Sequence, residues 1–240
     1  MPRVSDTPDL FCRPKGEKRF PLVLPELFTK ASRRDFSSTY LRKAPFAEPD
    51  SARPFTPLFD WSALDRVLKR PERNPRADSD VLVVKQGRLV PAPTPRTLRD
   101  ARTLLDAGSS LVIRRAERRD AALAELAQRF ERECSGVAHI QLFVTPKGER
   151  GFGWHYDAEE VFILQTRGTK EYFLRRNTMN PNPVPEPHYD FSAISRERTP
   201  VMACTLVAGD WLYIPSGWWH AATAREDSLS ISVGVLGVHA

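Results

Sequence analysis

After Gly136 the chain becomes a succession of short strand-like runs, and this succession restricts the possible folds more than any other feature. Residues 138–145, 161–166, 170–175, 202–207, 211–214 and 228–233 are rich in β-branched and aromatic side chains, with no helical period between them. Gly168, Gly209 and Gly217 fall between runs, where tight turns need them. Strands joined without helical crossovers pair antiparallel, so the pattern predicts a sandwich or barrel, and a double-sheet jelly roll accommodates it. Residues 180–187 (Asn-Pro-Asn-Pro-Val-Pro-Glu-Pro) lack too many N–H donors for a central strand and read as a long loop over one mouth of the barrel.

Upstream, the pattern changes to helices with short strands. Trp61, Leu64, Val67 and Leu68 have helical spacing. Residues 81–84 and 89–90 read as two short strands around Gln86-Gly87. Thr94-Pro95 supplies a cap and a first-turn proline for a helix with the stripe Leu98, Ala101, Leu104 and Leu105, ended by Gly108. Residues 111–113 form a short buried strand. A second stripe, Leu123, Leu126, Ala127 and Phe130, begins at about Asp120 and stops before Gly136. These helices are read as packing elements. Residues 1–57, rich in Pro and Arg, show no sustained period and read as extended segments, such as 20–25, draped over the core rather than as a separate domain. The expected organisation is thus an N-terminal segment over 1–57 and one domain over 58–240, with a helical lead-in (58–136) and a barrel (137–236).

The 41% hydrophobic, 28% charged composition is that of a globular chain, with no apolar run near the ~20 residues of a membrane span. No signal-peptide core opens the sequence. Cys12, Cys134 and Cys204 are scattered, which fits a reducing, cytoplasmic setting and small buried side chains. The first 150 residues hold 29 Lys+Arg against 20 Asp+Glu, and the last 90 hold 7 against 10. Because the arginines interleave with acids, as over 114–120, a solvated basic face accounts for this better than a nucleic-acid or acidic-partner surface.

Two stretches carry chemistry: Gly151-Phe152-Gly153-Trp154-His155-Tyr156-Asp157 and Gly217-Trp218-Trp219-His220. On a strand, His155 and Asp157 share one face. Ala208 to Trp219 reads as a turn, a strand and a Pro/Gly kink that aims His220 inward. Two imidazoles and a carboxylate make the facial triad of non-heme Fe(II) oxygenases. His155-x-Asp157 alone is better explained as an ordinary hydrogen-bonded pair; the His220 stretch strengthens the metal reading.

Gly151-Phe152-Gly153-x-His155-Tyr156-Asp157-x3-Val161-Phe162-x-Leu164-Gln165-x2-Gly168-x-Lys170 resembles the core of the JmjC (cupin-like) 2-oxoglutarate oxygenases, in particular the bacterial relatives of ribosomal-protein hydroxylases. Gly209-Asp210-x-Leu212-Tyr213-Ile214-Pro215-x-Gly217-Trp218-Trp219-His220 and the run 228–234 resemble its second half, and the likeness covers most of 58–236. It implies a mainly β fold with N-terminal helices and a double-stranded β-helix, or jelly-roll (cupin), barrel. His155, Asp157 and His220 would hold Fe(II), and Lys170 would pair with the distal carboxylate of 2-oxoglutarate. Gln141, Phe143 and Thr145 share a strand face. Relatives more often carry Asn and Tyr where this chain has Gln141 and Phe143, so Gln141 and Thr145 are cosubstrate candidates and Phe143 donates no hydroxyl. Of Ser228, Ser230 and Ser232, also on one face, Ser232 is the pocket candidate, although an exposed polar face explains the row as well.

Trp154, Tyr156, Glu159, Glu160 and the loop near His188 are the substrate-facing candidates, with packing the plainer reading for Trp154. His139, His188 and His239 are read as structural or surface residues. The resemblance implies a 2-oxoglutarate-dependent dioxygenase that hydroxylates a peptide or protein side chain, releasing succinate and CO2. A hydroxylase of a free amino acid or small metabolite, or a non-catalytic binding module, are the alternatives. The larger relatives carry helical and winged-helix segments after the barrel; this sequence is expected to lack both.

Overall fold

The computed structural model describes residues 24–70, 80–185 and 189–237. Cys12, His188, His239 and the stretch 1–23 lie outside them. The strands are β1 (Phe46–Glu48), β2 (Val81–Lys85), β3 (Arg88–Leu89), β4 (Ser110–Ile113), β5 (Gly136–Thr145), β6 (Glu160–Arg167), β7 (Lys170–Arg175), β8 (Val201–Leu206), β9 (Trp211–Ile214), β10 (Trp219–Ala224) and β11 (Ser228–Gly237). The helices are α1 (Lys30–Asp35), α2 (Trp61–Lys69), α3 (Leu98–Asp106) and α4 (Ala121–Cys134). Every pairing between strands is antiparallel. An eight-stranded sheet runs β1-β9-β6-β11-β5-β4-β2-β3, and a three-stranded sheet runs β10-β7-β8.

Alternation along the central strands divides the large sheet into two chemically different faces. Ala138, Ile140, Leu142 and Val144 of β5, with Leu229, Ile231, Val233 and Val235 of β11, are buried in one core with Leu123, Leu126 and Phe130 of α4. Their neighbours Gln141, Phe143, Thr145, Ser228, Ser230 and Ser232 face the other way. There, Val161, Ile163, Leu212 and Ile214 pack against Tyr172 and Leu174 of the small sheet. One face is thus covered by helices, and the other forms the wall of an interior.

The N-terminal segment closes the first face. β1 pairs with β9, and Phe28, Phe36 and Phe46 surround the Trp211 ring. The Trp211 indole N–H donates to Leu27 O at 2.7 Å and Ser51 Oγ at 2.9 Å, so a buried donor finds partners. The expectation of extended segments here gives way to α1 followed by a π-helical turn at Phe36–Tyr40. Thr29 and Ser32 form a reciprocal cap, which starts a helix that no hydrophobic period announces.

A second difference concerns α3, which is capped by Thr97 rather than by Thr94-Pro95. Asp100 returns the bond to the Thr97 backbone, and this two-way cap outcompetes a proline that merely tolerates a first turn. Cys134 and Cys204 are free thiols, the first buried and the second half-buried. No helix among the described residues is long and apolar enough to cross a membrane.

Phe36 is fully buried among four aromatic rings. Phe36→Ala is expected to cost about 3–5 kcal/mol of unfolding free energy in denaturant titration. A loss below about 1 kcal/mol would mean that this segment does not share the core.

Candidate metal centre

His155 and His220 are joined by their backbones before their rings meet. His155 N–H donates to His220 O at 3.1 Å, and His220 N–H donates back to His155 O at 2.8 Å. This places the rings 4.1 Å apart, centre to centre. Each Nδ1–H donates to a carbonyl two residues earlier, His155 to Gly153 O at 2.8 Å and His220 to Trp218 O at 3.0 Å. With Nδ1 of each ring held by a carbonyl, Nε2 is the nitrogen left to serve as a ligand atom. His220 Nε2 lies 3.4 Å from Asp157 Oδ2, and one ligand atom from each of His155, Asp157 and His220 falls within 4.8 Å of the others.

The stretch carrying His155 and Asp157 is not the strand expected of it. Gly153 N–H donates to Gly87 O in the β2–β3 turn at 3.3 Å, and the stretch is tied to β10 by two isolated bridges, Arg150 to Thr223 and His155 to His220. The two side chains converge through the histidine bridge instead of through strand alternation. Gly217, at φ +79°, makes the kink before His220; a Cβ there would meet Pro181 O at 2.6 Å. The Pro-rich stretch therefore runs against this kink, and Asn180 Nδ2 reaches the Tyr156 hydroxyl at 3.4 Å.

The electrostatics suit a cation. Burial, then the facing His220, pushes His155 down to about 4, so the ring is neutral at pH 7. Burial would raise Asp157, but the adjoining His220 and His155 imidazoles outweigh it and hold its carboxyl at about 2. Two imidazole nitrogens and one carboxylate are a donor set that suits first-row divalent ions.

These three residues open into a cavity of about 110 Å³, also lined by Gln141, Phe143, Lys170 and Ser232. Lys170 is 3% exposed and donates to Thr145 Oγ1 at 3.3 Å. Among the described residues it pairs with no carboxylate, and burial lowers its pKa to about 8. Gln141, Lys170 and Ser232 thus line the metal candidates' cavity, and Thr145 stands behind it as the partner of Lys170.

The substrate-facing candidates are separated. Glu159 lines the cavity, where burial and then the Asp157 charge raise it to about 7, and Gly234 leaves the room that its carboxylate occupies. Glu160 points the other way, 4% exposed, accepting a hydrogen bond from the Tyr213 hydroxyl near Arg42. Burial first, against that bond, raises it too to about 7. Trp154 and Tyr156 turn away from the cavity into a cluster with Trp219, Tyr189 and Ile194. Phe152, Val161, Ile163, Tyr172 and Ala222 also line the cavity and escaped the sequence reading. For Tyr172 a signal existed: it stands two residues from Lys170 on β7, hence on the same face.

A mainly antiparallel fold with an interior His-x-Asp…His cluster defines a cupin-type protein with a candidate metal centre. The sequence profile of the JmjC domain matches residues 113–239, and the chain belongs to that family. It is 35% identical over 103 residues to the Dictyostelium discoideum bifunctional lysine-specific demethylase and histidyl-hydroxylase NO66, covering 43% of this chain and 20% of that protein. Ribosomal oxygenase 1 of Danio rerio is 23% identical over 209 residues, 83% of this chain and 37% of the relative. Among solved structures, the Escherichia coli ribosomal oxygenase YcfD in complex with cobalt and 2-oxoglutarate superposes with a TM-score of 0.59 at 18% identity, over 91% of this chain and 53% of YcfD. The chain thus spans about half the length of that structure and less of the curated relatives.

An ammonium buried with no carboxylate partner among the described residues destabilises the ligand-free fold below its unfolded pKa. Lys170→Met is therefore expected to stabilise the ligand-free protein at pH 7, on the order of 3 kcal/mol. The wild-type deficit should shrink as pH rises from about 8 toward 10.5, where the unfolded lysine also loses its proton. A variant less stable than wild type across that range would contradict a desolvated cation at 170.

Proposed function

We propose that this chain is an Fe(II)- and 2-oxoglutarate-dependent hydroxylase of a peptide or protein side chain. The observation that carries the reading is one cavity holding both the His155, Asp157 and His220 cluster and a buried lysine without a counter-ion. When bound, iron and the 2-oxo acid supply the oxidation: one oxygen atom enters a substrate C–H bond, and the other leaves in succinate as CO2 is released. His155, Asp157 and His220 would hold the ion. Lys170, helped by Thr145, would take the distal carboxylate as a charge-assisted partner. Phe143, Phe152, Val161 and Ile163 would keep water from the reacting atoms. Gln141 and Ser232 would line the cosubstrate, and Glu159 the substrate side.

The two sheets are read as walls of a double-stranded β-helix, with residues 24–57 part of the same folding unit. The names of the relatives favour a protein substrate, and a ribosomal protein is the leading class. Free Cys134 and Cys204 suit a reducing compartment, the cytoplasm.

The direct test is succinate formation by protein loaded anaerobically with Fe(II), then given 2-oxoglutarate and air. Slow substrate-free turnover is expected in wild type, with a fall of at least about a hundredfold in His155→Ala and Lys170→Ala. Turnover equal in all three would refute the assignment. A pH dependence follows from the lowered lysine. Above about pH 8 the empty pocket's lysine loses its proton, and the anion must restore it, so 2-oxoglutarate affinity should fall roughly tenfold per pH unit. Calorimetry showing constant affinity from pH 7 to about 9.5 would contradict this.

A further inference from the structure

Glu160 lies outside the cavity and is 4% exposed where β6 begins. A carboxylate enclosed to that degree needs donors, and separate stretches of the chain supply them. The Tyr213 hydroxyl of β9 donates to Oε2, and the backbone N–H of Ser216 favours the charged form. Arg42 Nε, from the N-terminal segment, stands 3.9 Å from Oε1. Arg42 also donates its backbone N–H to the Tyr213 oxygen at 2.8 Å, from a left-handed backbone at φ +60°. A residue with a Cβ holds that conformation only where its surroundings fix it. Burial outweighs these partners and lifts Glu160 from 4.5 to about 7. With the folded pKa above the unfolded one, the group begins to cost stability as pH rises through 4.5, and the whole cost is present above about 7. Its charge is therefore not what holds the fold together.

What Glu160 does adjoin is the junction between the two ligand-bearing stretches. Ser216 Oγ donates to Ala158 O at 3.0 Å, and Gly217 N–H donates to Asp157 O at 2.8 Å. On one side of this junction stands Asp157, and on the other the chain runs from Gly217 through two tryptophans to His220. Resting on the metal-centre reading, we infer that Glu160 is a positioning residue for that centre, bracing the Asp157 and His220 stretches against the N-terminal segment through Tyr213 and Arg42. Neither Glu160 nor its partners supply a ligand atom. Ser216 and Gly217 are bonded to the backbone of 157–158, so a carboxylate that fixes Ser216 also fixes the separation of Asp157 and His220. Metal affinity depends on that separation, and groups behind the ligands act on the ion without touching it. A segment distant in sequence thereby becomes part of the centre.

The test is Co(II) titration of the full chain at about pH 8, where Glu160 is charged, read by affinity and visible absorption beside thermal melting of the metal-free protein. Glu160→Gln keeps the volume without the charge, and is expected to weaken Co(II) about tenfold with altered bands. Its metal-free melting temperature should equal or exceed that of wild type, because the buried charge is gone. Tyr213→Phe and Arg42→Ala should each weaken Co(II) about threefold or more. Wild-type affinity and bands in all three variants would overturn the inference and leave the metal-centre reading standing. A loss of affinity in Glu160→Gln accompanied by a lower melting temperature would make the residue a support of the fold, and would overturn it too. Wild-type protein that binds no Co(II) would defeat the metal reading and the inference together. If Glu160→Gln fails to fold, Arg42→Ala decides: a threefold loss at the wild-type melting temperature supports the brace, and wild-type affinity overturns it.

Discussion

The pair of backbone hydrogen bonds between His155 and His220 is the constraint on which the rest of the site depends. It ties a bent, glycine-containing stretch to the first turn of β10, and so fixes two imidazoles from opposite ends of the barrel sequence at one place. The carbonyls of Gly153 and Trp218 then hold Nδ1 of each ring and leave Nε2 to serve as a ligand atom. Each carbonyl is held by its own neighbourhood, Gly153 through the β2–β3 turn and Trp218 through the kink at Pro215 and Gly217. Donor direction is thereby decided by backbone geometry before any ion arrives, which is how a metal site becomes preorganised.

The large sheet makes this possible by separating its two jobs. Its outer face is an aliphatic and aromatic core that includes α4 and the N-terminal segment. Its inner face carries hydroxyls, an amide and a facing lysine, which a core of ordinary composition would exclude. The cost of placing Lys170 there is offset by the first face, where Trp211, Phe36, Phe130 and Phe162 are fully buried. Stability is concentrated on one side of the sheet, and binding chemistry on the other.

Much of this was legible in the sequence because the signals were local. β7 alternates buried with half-buried residues, β9 is a short run buried throughout, each follows a glycine turn at Gly168 or Gly209, and their limits agree with the spacing. β10 was not legible: it starts at the kink, and Ala221 and Ala222 have little strand propensity, so pairing with β7 creates it. The three-residue β1 likewise exists through β9. In the site, the cluster of His155, Asp157 and His220 and the place of Lys170 could be read from motif and spacing. The choice between Glu159 and Glu160 could not. The stretch from Gly151 to Ala158 is not a strand, so period-two counting from Asp157 has no validity there, and the bond to Tyr213 decides which carboxylate turns outward. Tyr172 carried only the weaker signal of standing two residues from Lys170 on β7, which sets its face without showing that this face lines a cavity.

The most direct measurement of the central claim is a titration of the apo protein with Co(II), followed by absorption spectroscopy as 2-oxoglutarate is added. One ion per chain is expected, with visible bands that shift when the acid enters the same coordination sphere. His155→Ala, Asp157→Ala and His220→Ala should each lose the bands. Binding of the ion with unchanged spectra in all three variants would show that these side chains do not share a metal, and the account would fail with them.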